Sequence, residues 1–184
     1  MSLVKADAES DLVARLGRDQ SALEELIASH YQAVHRLVRR LSGRSADPDD
    51  LTQDVFVSAL ANARRFRAQS SVSTWLTRIA INVCRAHRRR SRIRLAFWVG
   101  KAREGDCSRR VLDPSESAEH GEEIRRLKDA LMRLGGNYRE VIVLHYLEQL
   151  CIGGVCEVLG LSRPAVEVRL HRVRRMLAEL MRDG

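Results

Sequence analysis

The chain has 184 residues, of which 45% are apolar and 30% charged, and its formal net charge is +8 with a pI near 10.0. That length suits one or two small domains. No apolar run approaches the ~18 residues of a membrane span, and no basic segment leads into an apolar stretch as in a secretory signal. The membrane, secreted and acidic-disordered classes are disfavoured, which leaves a cytoplasmic, anion-binding protein.

The pattern is helical almost throughout, because aromatic residues make up only 4% and period-2 alternation is scarce. Residues 10–28 carry Leu12, Leu16, Leu23, Leu26 and Ile27 around Gly17 and predict two short helices. Tyr31, Val34, Leu37, Val38 and Leu41 then form one apolar stripe at helical spacing. After a turn at 43–46, Asp47-Pro48-Asp49-Asp50 reads as a helix start. Asp47 caps, Pro48 fits the first helical position, and the acids suit the dipole. This helix runs through Leu51, Val55, Phe56, Ala59 and Leu60 to about Arg64. A polar loop from Phe66 to Ser71 separates it from a helix over Val72 to about Arg90, whose buried stripe is Val72, Trp75, Leu76, Ile79 and Val83.

Periodicity fades after that, which predicts a flexible linker over 92–121 between domains at 1–91 and 122–184. The linker contains an apolar island, Leu95–Val99. In the second domain, Ile124, Leu127, Leu131 and Leu134 mark one helix, ended by Gly135-Gly136-Asn137. Tyr138–Leu147 is a second helix and Cys151–Leu159 a third, closed by Gly160. Ser162 caps a fourth, from Arg163 to about Met181. The expected fold is all-α: two small helical domains joined by a flexible linker, the C-terminal one a four-helix domain with a helix-turn-helix.

Charge is unevenly placed. Residues 81–112 carry ten cations against two anions, residues 113–161 are net −4, and residues 162–184 are net +3. Twenty-nine of the 32 cations are Arg, whose planar fork suits phosphates and guanine edges. Two separate basic surfaces point to two contacts with a polyanion. The four cysteines form no C-x-x-C pair, and Cys84 with His87 is a single pair at helical spacing, so no metal site is expected. No cofactor and no small-molecule substrate are expected either. The acids at 47–54 lack a Gly-rich phosphate loop or a His-rich partner set, which argues against an enzyme.

A short helix, a glycine, an apolar residue, a Ser cap and then an Arg-rich amphipathic helix describe a helix-turn-helix. Val166 and Leu170 face inward on that last helix. Arg163, Pro164, Glu167, Arg169, His171, Arg172 and Arg175 are candidates for contact with DNA, the N-terminal ones at base edges and later arginines at phosphates.

Asp50-Leu51-Thr52-Gln53-Asp54-Val55-Phe56 resembles the core-binding motif of bacterial sigma factors. Arg65-Phe66-Arg67 followed by Ser73-Thr74-Trp75-Leu76, Ile79-Ala80 and Asn82 is similar to the next family pattern. Tyr138-Arg139-Glu140-Val141, Leu159-Gly160-Leu161-Ser162 and Val168-Arg169-Leu170-His171-Arg172 resemble the second domain of the same family. The resemblance is to the small, two-domain extracytoplasmic-function group of the sigma-70 family.

The resemblance implies an alternative sigma factor that directs RNA polymerase core to promoters and assists their melting. Asp50, Gln53 and Asp54, at i, i+3 and i+4, would grip the clamp helices of the largest polymerase subunit. Phe66, Arg67, Gln69, Ser70 and Asn82 would read the −10 element, where a base is flipped from the duplex, with Arg85, Arg88 and Arg89 on nearby phosphates. The helix-turn-helix would read the −35 element, and an anti-sigma factor is implied as a regulator. The alternative is a helix-turn-helix regulator that binds DNA without joining core polymerase.

Overall fold

The structure, a computed structural model, describes residues 11–16, 18–42, 46–67, 69–99 and 120–182, and every regular element among them is helical. The chain divides into two compact units, with the main boundary between His87 and Arg88. Among the described residues, no helix is long and apolar enough to cross a membrane.

The first unit opens with a short helical segment at 11–15, which buries Leu12 and Val13. Arg15 holds it to its surroundings, reaching Asp11 at 3.2 Å, Asp19 at 3.3 Å and Glu25 at 3.5 Å. Helix α1 follows at Gln20–Ser42. Asp19 caps its start by accepting from the Ser21 amide at 2.9 Å and the Ser21 hydroxyl at 2.7 Å. The Ser21 hydroxyl, then its amide, hold the Asp19 carboxyl below the usual 3.8. α1 joins two stretches that the apolar pattern treats separately, 20–28 and 29–42. Ala28-Ser29-His30 contains no breaker, so the ladder runs on.

Helix α2 spans Pro48–Asn62 and packs against α1. Asp47 is its N-cap, accepting from the Asp49 amide at 2.9 Å, and Pro48 occupies the first turn as expected. Leu51, Val55, Phe56 and Ala59 are buried; Leu60, placed on the same apolar run by sequence, is exposed instead. A 3-10 turn, Ala63–Arg65, ends the helix.

Helix α3 runs over Val72–Val99, beyond the expected end near Arg90 and through the apolar island. No Gly or Pro intervenes before Gly100, and the Arg, Ala and Leu of this stretch are strong helix formers. Val72, Leu76 and Val83 are buried as the stripe requires, whereas Trp75 and Ile79 are half-buried.

In the second unit, α4 spans His120–Arg133 and α5 spans Gly136–Ile142, continued by a π-helical stretch at Val143–Leu147. Gly135 caps α5 and Gly136 opens it, so Gly135-Gly136 begins one helix as well as following another. Helix α6 is Ile152–Leu159 and α7 is Arg163–Arg182. α7 packs against α4 and α5. Its Val166, Leu170 and Val173 join Val141, Val143, Leu144 and Val155 in the core. Leu127 and Leu147 are exposed, whereas Ala130 of α4 and Leu134, the residue after that helix, are buried.

Arg139 is buried in this core. It donates to the backbone carbonyls of Leu131 at 2.9 Å, Met132 at 2.5 Å and Leu134 at 3.1 Å. These oxygens close the end of α4, where intrahelical donors run out, and the guanidinium also meets the negative end of the helix dipole.

Candidate nucleic-acid and protein interfaces

On α2 the inward face uses Leu51, Val55 and Ala59. The opposite face therefore presents Asp50, Gln53 and Asp54, all exposed. Asp54 makes no hydrogen bond or ion pair among the described residues. The same face continues one turn on to Val57, which is 60% exposed, and Leu60 at 37%. Both apolar side chains were outside the sequence-derived site. Their signal was available, since Asp50, Gln53, Asp54, Val57 and Leu60 follow i, i+3, i+4, i+7 and i+10. A polar front and an apolar rear on one face suit protein docking, with charge setting orientation and apolar area supplying affinity.

Asp49, adjacent in sequence, behaves differently. It accepts from the Tyr31 hydroxyl at 3.2 Å, and His35 Nε2 lies 3.2 Å from the same oxygen. Tyr31 stacks on His35 and on Phe56, at ring separations of 5.8 and 6.3 Å. Partial desolvation and then the Asp49 carboxylate raise the Tyr31 phenol above its ordinary 10.0. Asp49 thus ties α2 to α1.

The Phe66–Ser71 loop ends where Ser71 caps α3, its hydroxyl accepting from the Thr74 amide at 3.1 Å. Phe66 is half-buried and meets Trp75 at 5.1 Å between ring centroids, with planes tilted by 52°. Trp75 thus forms an aromatic pair with the loop, a role its place on the apolar stripe did not suggest. Arg67 and Gln69 are exposed and Ser70 is half-buried. Trp75, Asn82 and Arg89 follow one another at seven-residue intervals on one face of α3, and Asn82 and Arg89 are exposed. Arg85 is half-buried. Arg88 is too, and its guanidinium is ion-paired with the buried Glu140; both residues belong to the second unit.

The helix-turn-helix is built from α6, a turn at 160–162 and α7. Gly160 has φ +66°, a left-handed conformation that a Cβ resists. The Leu161 amide returns to the Cys156 carbonyl at 3.1 Å, closing α6 in a Schellman arrangement. Across from the buried Val166, Leu170 and Val173, α7 exposes Arg163, Pro164, Glu167, Val168, His171, Arg172, Arg174 and Arg175. Arg163 Nε donates to Glu167 at 2.9 Å. Arg169 does not join that face: it is half-buried and sits at its edge. Arg174 donates to the Tyr146 hydroxyl at 2.7 Å and lies 5.7 Å from the centre of that ring, so its cation is anchored to the π-helical stretch.

Comparison with known proteins bears on both units. The family model for Sigma-70 region 2 matches residues 26–93, and that for Sigma-70, region 4 matches residues 124–177. The ECF RNA polymerase sigma factor SigM of Mycobacterium tuberculosis is 32% identical over 177 residues, covering 96% of this chain and 85% of that protein. SigW of Bacillus subtilis, also an ECF RNA polymerase sigma factor, is 28% identical over 171 residues, covering 90% of this chain and 91% of that protein. Among solved structures, CnrH in complex with the cytosolic domain of CnrY aligns with a TM-score of 0.66 at 27% identity. That alignment covers 96% of this chain and 99% of that one.

Proposed function

The chain belongs to the extracytoplasmic-function group of sigma-70 factors, and from that premise we propose which of its surfaces carry out which steps of transcription initiation. It is an alternative sigma factor directing RNA polymerase to promoters. Its first domain, 1–91, docks on core through the exposed α2 face of Asp50, Gln53 and Asp54, with Val57 and Leu60 extending the contact. The Phe66–Ser70 loop and the Asn82–Arg89 face of α3 take the −10 element, the Phe66–Trp75 pair offering an aromatic surface beside a flipped base. The segment 92–121 acts as linker. The domain at 122–184 places α7 in the major groove of the −35 element, with His171, Arg172 and Arg175 among its contacts.

Binding energy at the two elements favours the open, single-stranded state and so assists melting. The factor works in the cytoplasm, without a catalytic group or cofactor of its own, and an anti-sigma factor holds it in check. CnrH, similar over nearly the whole chain, is found with CnrY.

The observation that carries this assignment is the α2 face, where exposed acids with no partner among the described residues adjoin exposed apolar side chains. A helix-turn-helix regulator acting without core would leave this face, and the match to region 2, unused. The test is in-vitro transcription with purified core polymerase on a genomic fragment library. Specific start sites should appear only when the chain is added. Duplex binding without any start site would overturn the assignment.

A further inference from the structure

On α7 the buried side chains are Val166, Leu170 and Val173, and the opposite face of its first three turns is polar except at Pro164, in the first turn, and at Val168. Val168 is 49% exposed in the middle of that face, one turn from Pro164 and from His171 and Arg172. Glu167 beside it is held by Arg163 at 2.9 Å, and Arg174 is anchored on Tyr146. Several polar neighbours thus have partners, while the valine has an open apolar surface.

A major-groove edge offers hydrogen-bond donors and acceptors at every base pair, and one apolar group, the 5-methyl of thymine. A β-branched side chain on a helix holds essentially one χ1 rotamer, so little entropy is lost when it is pressed against a partner. The surrounding cations bring phosphates to this face, which sets a DNA duplex rather than another apolar surface opposite Val168.

We infer that Val168 is a specificity-determining residue of the upstream-element reader and that it takes the 5-methyl group of one thymine in the major groove. This rests on the assignment of α7 to the −35 element.

The test uses holoenzyme formed from the full chain and core polymerase, on a promoter recovered from the fragment library. Each thymine of the upstream element is replaced singly by deoxyuridine, which removes the methyl group and nothing else. At one position, affinity should fall about fourfold, the scale of one buried methyl group. With Val168→Ala, the same replacement should cost almost nothing, while circular dichroism shows the helix content retained. An element without thymine, or one whose every thymine tolerates uracil, overturns the inference while leaving the −35 assignment standing. A uracil penalty that persists in Val168→Ala overturns it too. If a scrambled upstream element binds as well as the selected one, the −35 assignment fails and the inference falls with it.

Discussion

Asp54 and Asp49 lie five residues apart on one helix and should fail in opposite ways. Asp54 is exposed, lacks a partner among the described residues and lies past the first turn of α2, beyond the reach of the helix dipole. Replacing it by Arg should therefore change folding stability by no more than about 0.5 kcal/mol. At the docking face it reverses a charge next to Asp50, setting a cation against a surface that would accept acids. Like-charge juxtaposition at an interface costs several kcal/mol; at about 3 kcal/mol the affinity for core falls by about a hundredfold. Asp49 instead joins α2 to Tyr31 and His35 of α1. Asp49→Ala should lower the thermal midpoint of the first unit, the His35 pair contributing up to about 1 kcal/mol, and leave core affinity nearly unchanged. Equilibrium competition for purified core and circular-dichroism melting measure the two effects. Core binding by Asp54→Arg within threefold of the parent chain would refute the docking face. Equal loss of core binding in Asp49→Ala would refute the division of roles between the two acids.

Arg139→Met keeps the apolar stem but removes the guanidinium donors from the carbonyls of Met132 and Leu134, leaving that of Leu131 only the Leu134 amide, and should destabilise the second unit by about 2–4 kcal/mol, read as faster hydrogen exchange across α4 and α5. A Cβ at Gly153 would meet only Cys151 Sγ at 3.8 Å, and one at Gly154 nothing nearer than Leu150 at 3.6 Å. Ala at either should stabilise α6 by about 0.5–1 kcal/mol in urea unfolding; a loss would mean that α6 does not tolerate the added methyl group. The Asp19 carboxyl is held below 3.8, so its contribution to stability is fully present above that pH and fades as pH falls through its folded value. Asp19→Asn, which caps without titrating, should therefore be less stable than the parent at neutral pH, with the gap closing in acid melts below about pH 3.8.

Much of this protein was legible in one dimension because helices are local. The Asp47-Pro48 start of α2, the inward Leu51 and Val55, the turn at Gly160 and the inward Val166 and Leu170 all follow from caps, φ preferences and a 3.6-residue period. The acidic trio was legible for the same reason: three side chains at i, i+3 and i+4 must share a face whatever surrounds the helix. Periodicity, however, finds a stripe without finding its edges. Leu60, Leu127 and Leu147 lie on apolar runs yet are exposed, and Trp75 is only half-buried, because burial depends on which neighbouring element covers each turn. The continuation of α3 to Val99 escapes a periodicity reading because residues 91–99 end in an unbroken apolar run, Leu95–Val99, with no alternation of faces at helical spacing.

Tertiary structure decided what long-range partners do to identical residue types. Of two neighbouring acids, Asp49 was drawn to Tyr31 and His35, and Asp54 was left exposed. Of two arginines in the second unit, Arg139 was buried on the carbonyls that end α4, and Arg172 was left exposed. The sequence alone determined the helices, their faces and the family pattern they carry, since each depends on contacts within a few residues. Which charges are used up inside the fold and which remain for polymerase or DNA depended on pairs 18 residues apart, as Tyr31 and Asp49 are, and such contacts exist only once the chain has packed.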